Sequence, residues 1–142
     1  MSVENILQEY NQVAMLAGIL AGFAFSAVVQ LISLDRRGRL MTATIIVFSL
    51  TTLILLISLL ALVLMGAAVA ELDRELVEIN RLSTWAYIAA LTGVELFLVG
   101  VGMAGWLRSV ATGIATTILA VIHICLSLFV FFVVISVFAR PG

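Results

Sequence analysis

Met41–Ala70 reads MTATIIVFSLTTLILLISLLALVLMGAAVA, 30 residues without a single charge. A helix of about 20 apolar residues crosses the hydrocarbon core of a bilayer, so this stretch alone places the chain in a membrane. The pattern repeats outward from it. Val13–Leu34, Trp85–Trp106 and Gly113–Phe138 contain no Asp, Lys or Arg and run for 22, 22 and 26 residues. A spanning segment must satisfy its backbone internally, and these stretches far exceed the roughly 9–11 residues of a barrel strand. The expected fold is all-α, one domain over residues 1–142 with four transmembrane helices at about 13–34, 41–70, 85–106 and 113–138.

Composition agrees. Hydrophobic residues make up 64% of the chain and charged ones 11%, with a mean hydropathy of +1.30; a soluble domain is about half apolar and a quarter charged. The residues outside the four stretches fall into five short pieces, none long enough for a soluble domain. That excludes a globular enzyme, a secreted disulfide domain and a nucleic-acid binder. No nucleophile–base pair or metal-ligand cluster stands in the sequence, so neither enzyme chemistry nor a cofactor is expected. A formal net charge of −1 points to no polyanionic partner. Met1–Gln12 carries Glu4 and Glu9 and no basic residue, unlike the positive start of a secretory signal, so the first stretch is expected to stay in the mature protein. No internal repeat is visible, and the only proline is Pro141.

The links set the topology. Asp35-Arg36-Arg37-Gly38-Arg39-Leu40 and Leu107–Thr112 are short, which makes helices 1 and 2, and again 3 and 4, antiparallel hairpins. Between helices 2 and 3, Leu72, Leu76 and Ile79 repeat at helical spacing while Asp73, Arg74, Glu75 and Glu78 take the other faces. This predicts a charged helical extension of helix 2 over about 71–82: a solvated face, or a docking surface for a partner. Trp85, Tyr87 and Trp106 bracket helix 3, as amphipathic rings favour headgroup layers. Arg36, Arg37, Arg39 and Arg108 lie on one side of the membrane, Arg74, Arg81 and Arg140 on the other. The positive-inside count thus leans by one residue toward a cytoplasmic first link.

Helix 1 has the most differentiated surface. Steps of three or four give Gln8, Gln12, Met15, Ile19, Phe23, Ser26 and Gln30, a face polar at both ends with an apolar waist. Beside it runs Ala14, Gly18, Gly22, Ser26, every fourth residue small, a pattern that lets membrane helices approach closely. The two stripes suit a helix in the inner ring of an oligomer around a narrow pathway; they suit equally a helix packed inside a four-helix bundle.

Leu20-Ala21-Gly22-Phe23-Ala24 followed by the polar Gln30 is similar to the pore-lining first helix of the Orai calcium-channel family. Phe48-Ser49, Thr51-Thr52 and Ser58-Leu59-Leu60-Ala61-Leu62 resemble that family's second helix with a one-residue shift, and Gly93, Leu96-Phe97-Leu98 and Trp106 follow its third more loosely. The resemblance implies a homo-hexamer in the plasma membrane, with helix 1 lining a central pore and both termini in the cytoplasm. That topology is opposite to the one toward which the Arg count leans. Aligned on Gly22-Phe23-Ala24, the pore-facing positions are Met15, Ile19, Phe23, Ser26 and Gln30, which the helical count also selects. Ile19 and Phe23 then form the hydrophobic gate, Gln30 the selectivity position, Ser58 the gating contact between helices 1 and 2, and Arg36, Arg37 and Arg39 the pore mouth.

The departures from the family are specific. Gln30 stands where the family has a calcium-selecting glutamate, and neutral amides bind Ca²⁺ more weakly than carboxylates. Met15 replaces a basic residue, Ser26 an apolar one and Ser58 a histidine, while the family's third-helix acid falls at Gly100. The chain ends at Gly142 without the helix through which the family meets its activator STIM, so no such activator is expected.

Glu95 is the only carboxylate within a span. Such acids are costly and mark functional sites by default; the plainer reading is a protonated group bonded to a Ser or Thr. His123 is either its partner or a packed neutral imidazole, and Cys125 a small packing residue. His123 and Cys125 face different sides of a helix and make no metal site. The Arg36/Arg37/Arg39 cluster equally suits contact with lipid phosphates. The functional expectation is a homo-oligomeric, cation-conducting pore with weak calcium selectivity. The alternatives are an anion-permeable pore, a non-conducting scaffold or effector, and a proton-coupled transporter using Glu95.

Overall fold

The computed structural model describes residues 3–34, 38–72 and 77–138, with only the helical backbone at residues 3, 72, 77–80, 131 and 134–138. It is all-helical: α1 is Val3–Ser33, α2 Arg39–Leu72, α3 Val77–Arg108 and α4 Val110–Phe138. All four are long and apolar enough to cross a membrane, over Glu4–Ser33, Arg39–Glu71, Arg81–Arg108 and Val110–Val130. The chain has the architecture of an integral membrane protein. Three helix starts differ from the expected spans: α1 begins at Val3 rather than about residue 13, residues 77–82, expected to extend helix 2, belong to α3, and α4 begins at Val110. Of the expected extension, residues 73–76 lie outside the described residues.

Contacts divide the chain into two compact units, Met1–Phe97 and Leu98–Gly142. In the first, the buried residues of α2 are Met41, Thr44, Phe48, Thr51, Leu55, Ser58, Leu62, Met65 and Val69. They alternate in steps of three and four, the heptad spacing of left-handed helix packing. Apolar side chains hold one position of the repeat, and Thr44, Thr51 and Ser58, followed by Met65, hold the other. A buried hydroxyl in a membrane needs an acceptor. Thr44 and Thr51 donate to their own helix, at the carbonyls of Leu40 (2.8 Å) and Val47 (2.9 Å).

α1 answers with Tyr10, Ala14, Ala17, Ala21, Ala24 and Leu31, all buried, and α3 with buried Ser83, Ala86, Ala90 and Gly93. Small side chains on these two helices bring their backbones close to the bulky residues of α2. Ile6, Tyr10, Ala14, Leu62, Met65, Val69 and Ala86 form one apolar cluster, and Ala17, Ala21 and Leu55 another. Tyr10 meets Tyr87 with ring centroids 6.1 Å apart, and Phe48 meets Phe97 edge-on at 5.9 Å.

The second unit is a hairpin turning on one residue. Ser109 alone separates α3 from α4, and its hydroxyl caps α4 by accepting from the Thr112 N–H at 3.1 Å. Trp106 lies against Gly113, where any side chain would collide with the indole. Its Nε1–H donates to Thr117 Oγ1 at 3.0 Å, and Thr116 Oγ1 lies 3.3 Å from the Gly102 carbonyl it donates to.

Candidate functional site on the first helix

The packing of α1 on α2 fixes depth in the membrane. Gly18 meets Leu59 and Gly66 meets Tyr10, so the helices run antiparallel and the midpoint of Met41–Ala70 stands level with about Ala21. At about 1.5 Å per residue, Ile19 and Phe23 lie roughly 3 Å either side of that level. Ser26 lies about 7 Å from it, and Gln12 and Gln30 about 13 Å away in opposite directions, just inside a core with a half-thickness of about 15 Å.

The fold leaves this face open. Met15, Ile19 and Phe23 are 66%, 51% and 61% exposed, and Gln8, Gln12, Ser26 and Gln30 are exposed as well. At about 100° per residue they centre on the side of α1 opposite the Ala14–Ala17–Ala21–Ala24 row. The five residues expected along a pathway therefore share one unoccupied face. The small-residue stripe meets α2 in its first half, where Ala14 is buried and Gly18 lies against Leu59, and leaves it in its second. The fully buried row is Ala14, Ala17, Ala21, Ala24, with Gly18 beside it, whereas Gly22 meets nothing within 4 Å and Ser26 is exposed. Alanines at heptad spacing were the signal for it, hidden because alanine also reads as generic apolar filler.

Ser58, expected at the contact of helices 1 and 2, has its hydrogen bond on α3. It is buried, and its Oγ donates to the Ala86 carbonyl at 2.8 Å, tying α2 to α3. Both Glu95 carboxylate oxygens are buried without a hydrogen-bond partner among the described residues. The carboxyl lies on the flank of α3 away from the Ser83–Gly93 row. His123 and Cys125 are exposed on α4. Arg39 is exposed, while Arg36 and Arg37 lie outside the described residues.

Apart from His123 and Cys125, the exposed surface of α4 is mostly apolar. Ile118, Leu119, Ile122, Leu126, Phe129 and Phe132 are all more than half exposed, an apolar exterior suited to lipid. α1 sets Ser26 and Gln30 on an open face within the hydrocarbon, where an unsatisfied polar group is costly. Compared with protein-family models, curated proteins and solved structures, the chain matches none. The likeness to Orai rests on its short motifs alone.

Proposed function

We propose that copies of this chain assemble around α1 to form an ion-conducting pore in the cell membrane. The supporting observation is that α1 turns a polar-ended face away from its own packing partner, at a depth where lipid is a poor neighbour for Ser26 and Gln30. Copies arranged with these faces inward give those groups water and one another. Ile19 and Phe23, one helical turn apart about mid-depth, form the apolar constriction that closes the path by dewetting. Gln30 offers amide dipoles rather than carboxylates, so the pore passes cations with little preference for calcium. The hexamer number and the outer position of α2, α3 and α4 belong to this proposal through the Orai resemblance. In the same reading Arg39, with Arg36 and Arg37, stands at one mouth.

A second reading has support in Gly22. Its open surface lets copies of α1 approach closely enough for a dry contact, which is a scaffold and not a pore. Flux decides between them. Purified protein in liposomes, wild type and Gln30→Glu, is assayed for cation and anion release. Conduction, with calcium preference gained by the glutamate variant, supports the pore. Silence in both, persisting when Phe23→Ser is added, leaves the scaffold.

A further inference from the structure

Apart from the α1 face, the first unit carries a groove of about 460 Å³ on α2 and α3, lined by Ile57, Leu60, Ala61, Leu64, Met65, Ala68 and Leu82. No lining side chain is polar. From Ile57, near mid-depth, to Ala68 the groove climbs eleven residues of α2, roughly 16 Å at about 1.5 Å each. That is the thickness of one leaflet of a core about 30 Å across.

Charge appears where the groove leaves the core. Arg81, exposed, is the chain neighbour of Leu82, and Glu71, exposed, lies one helical turn beyond Ala68. From the pairing of Ser58 with Ala86, Arg81 starts roughly 12 Å from mid-depth and reaches outward to the phosphate layer, as long basic side chains do. Glu71 stands farther out still. An apolar trench one leaflet long, a guanidinium at phosphate depth and a carboxylate just above it match one ligand class in order. Acyl chain, phosphate and ammonium follow one another in the same sequence.

We propose that this groove is a binding site for a phospholipid with a protonated primary amine in its headgroup. The acyl chain lies along Ile57–Ala68, Arg81 holds the phosphate and Glu71 accepts from the ammonium. Arg with phosphate and ammonium with carboxylate are charge-assisted pairs, stronger than neutral hydrogen bonds. A trimethylated amine has no N–H to donate, and a glycerol headgroup has no positive charge for Glu71. The site therefore ranks phosphatidylethanolamine above phosphatidylcholine and phosphatidylglycerol. It rests on the membrane architecture and not on the pore.

The test is native mass spectrometry of the full chain, released from detergent after equilibration with each of these three lipids. Phosphatidylethanolamine is expected to be retained best, with about tenfold weaker retention in Arg81→Gln, as loss of a hydrogen bond to a charged group gives. Glu71→Gln should abolish the preference over phosphatidylcholine while leaving some binding. Leu64→Trp, on a side chain already 60% exposed, should fill the trench and release lipid of every kind; circular dichroism checks that each variant is folded. Equal retention of all three lipids by wild type and Arg81→Gln marks loosely held annular lipid and overturns the site. So does a dimer mass that Leu64→Trp abolishes, which would give the groove to a second copy of the chain.

Discussion

Leu55 of α2 fills the space that a side chain on Gly93 of α3 would need: a Cβ built there lies 2.5 Å from Leu55 Cδ2 and 2.7 Å from its Cγ. Leu55 is fully buried and also packs against Ala17 and Ala21 of α1, so it has nowhere to retreat. One missing methyl group thus sets how closely three helices approach.

Gly93→Ala is expected to cost about 1–3 kcal/mol, the usual range for overpacking, read as a lower midpoint in detergent-induced unfolding. Leu55→Ala alone leaves a cavity. Combined, the two changes should cost less than their sum, because each relieves the other's fault and contacting residues couple. Strict additivity would show that the contact does not govern the spacing.

Ser58→Ala removes the hydroxyl that donates to the Ala86 carbonyl. That carbonyl stands inside α3, so it keeps a helical partner and is not orphaned. The expected loss is therefore small, about 0.6 kcal/mol, typical for hydrogen bonds between membrane helices. Ser58→Val adds bulk at a position only 1% exposed and should cost more. If Ser58→Ala opens a conductance at unchanged stability, Ser58 has a gating role beyond its tie to α3.

Gly113→Ala should displace Trp106, since the added methyl group falls on the indole. The chain has two tryptophans, so in a Trp85→Phe background the emission reports Trp106 alone. A shifted spectrum in Gly113→Ala is expected, with a smaller shift in Thr117→Val, which removes only the acceptor 3.0 Å from Nε1. An unchanged spectrum in both would mean that the indole is held by something else.

These contacts show what the sequence discloses and what it hides. The four helices are legible because charge is missing over long runs, and membrane length is a one-dimensional property. The polar-ended face of α1 is legible because Gln12, Ser26 and Gln30 stand out against apolar neighbours. The α2 repeat is not, because nearly every residue of Met41–Ala70 is apolar and hydrophobicity has no period to show. Thr44, Thr51 and Ser58, seven residues apart, are the trace it leaves. The start of α3 is hidden for another reason: Glu71–Arg81 contains no Gly or Pro to mark a break, and the charge pattern fits the end of one helix as well as the start of the next.

Gly22 and Phe23 offer the sharpest separation between pore and scaffold, because within one chain neither is packed. Gly22 meets nothing within 4 Å and Phe23 is 61% exposed. Gly22→Ala should leave a single chain intact and even favour α1, by up to about 1 kcal/mol of helix propensity. Any loss of assembly that it causes, seen as a lower oligomer mass, would come from contact between copies. Phe23→Ser removes apolar bulk from the waist and should raise liposome leak about tenfold or more if dewetting closes the path, with assembly unchanged. If Gly22→Ala breaks the oligomer and Phe23→Ser produces no leak, copies of α1 meet without a channel between them.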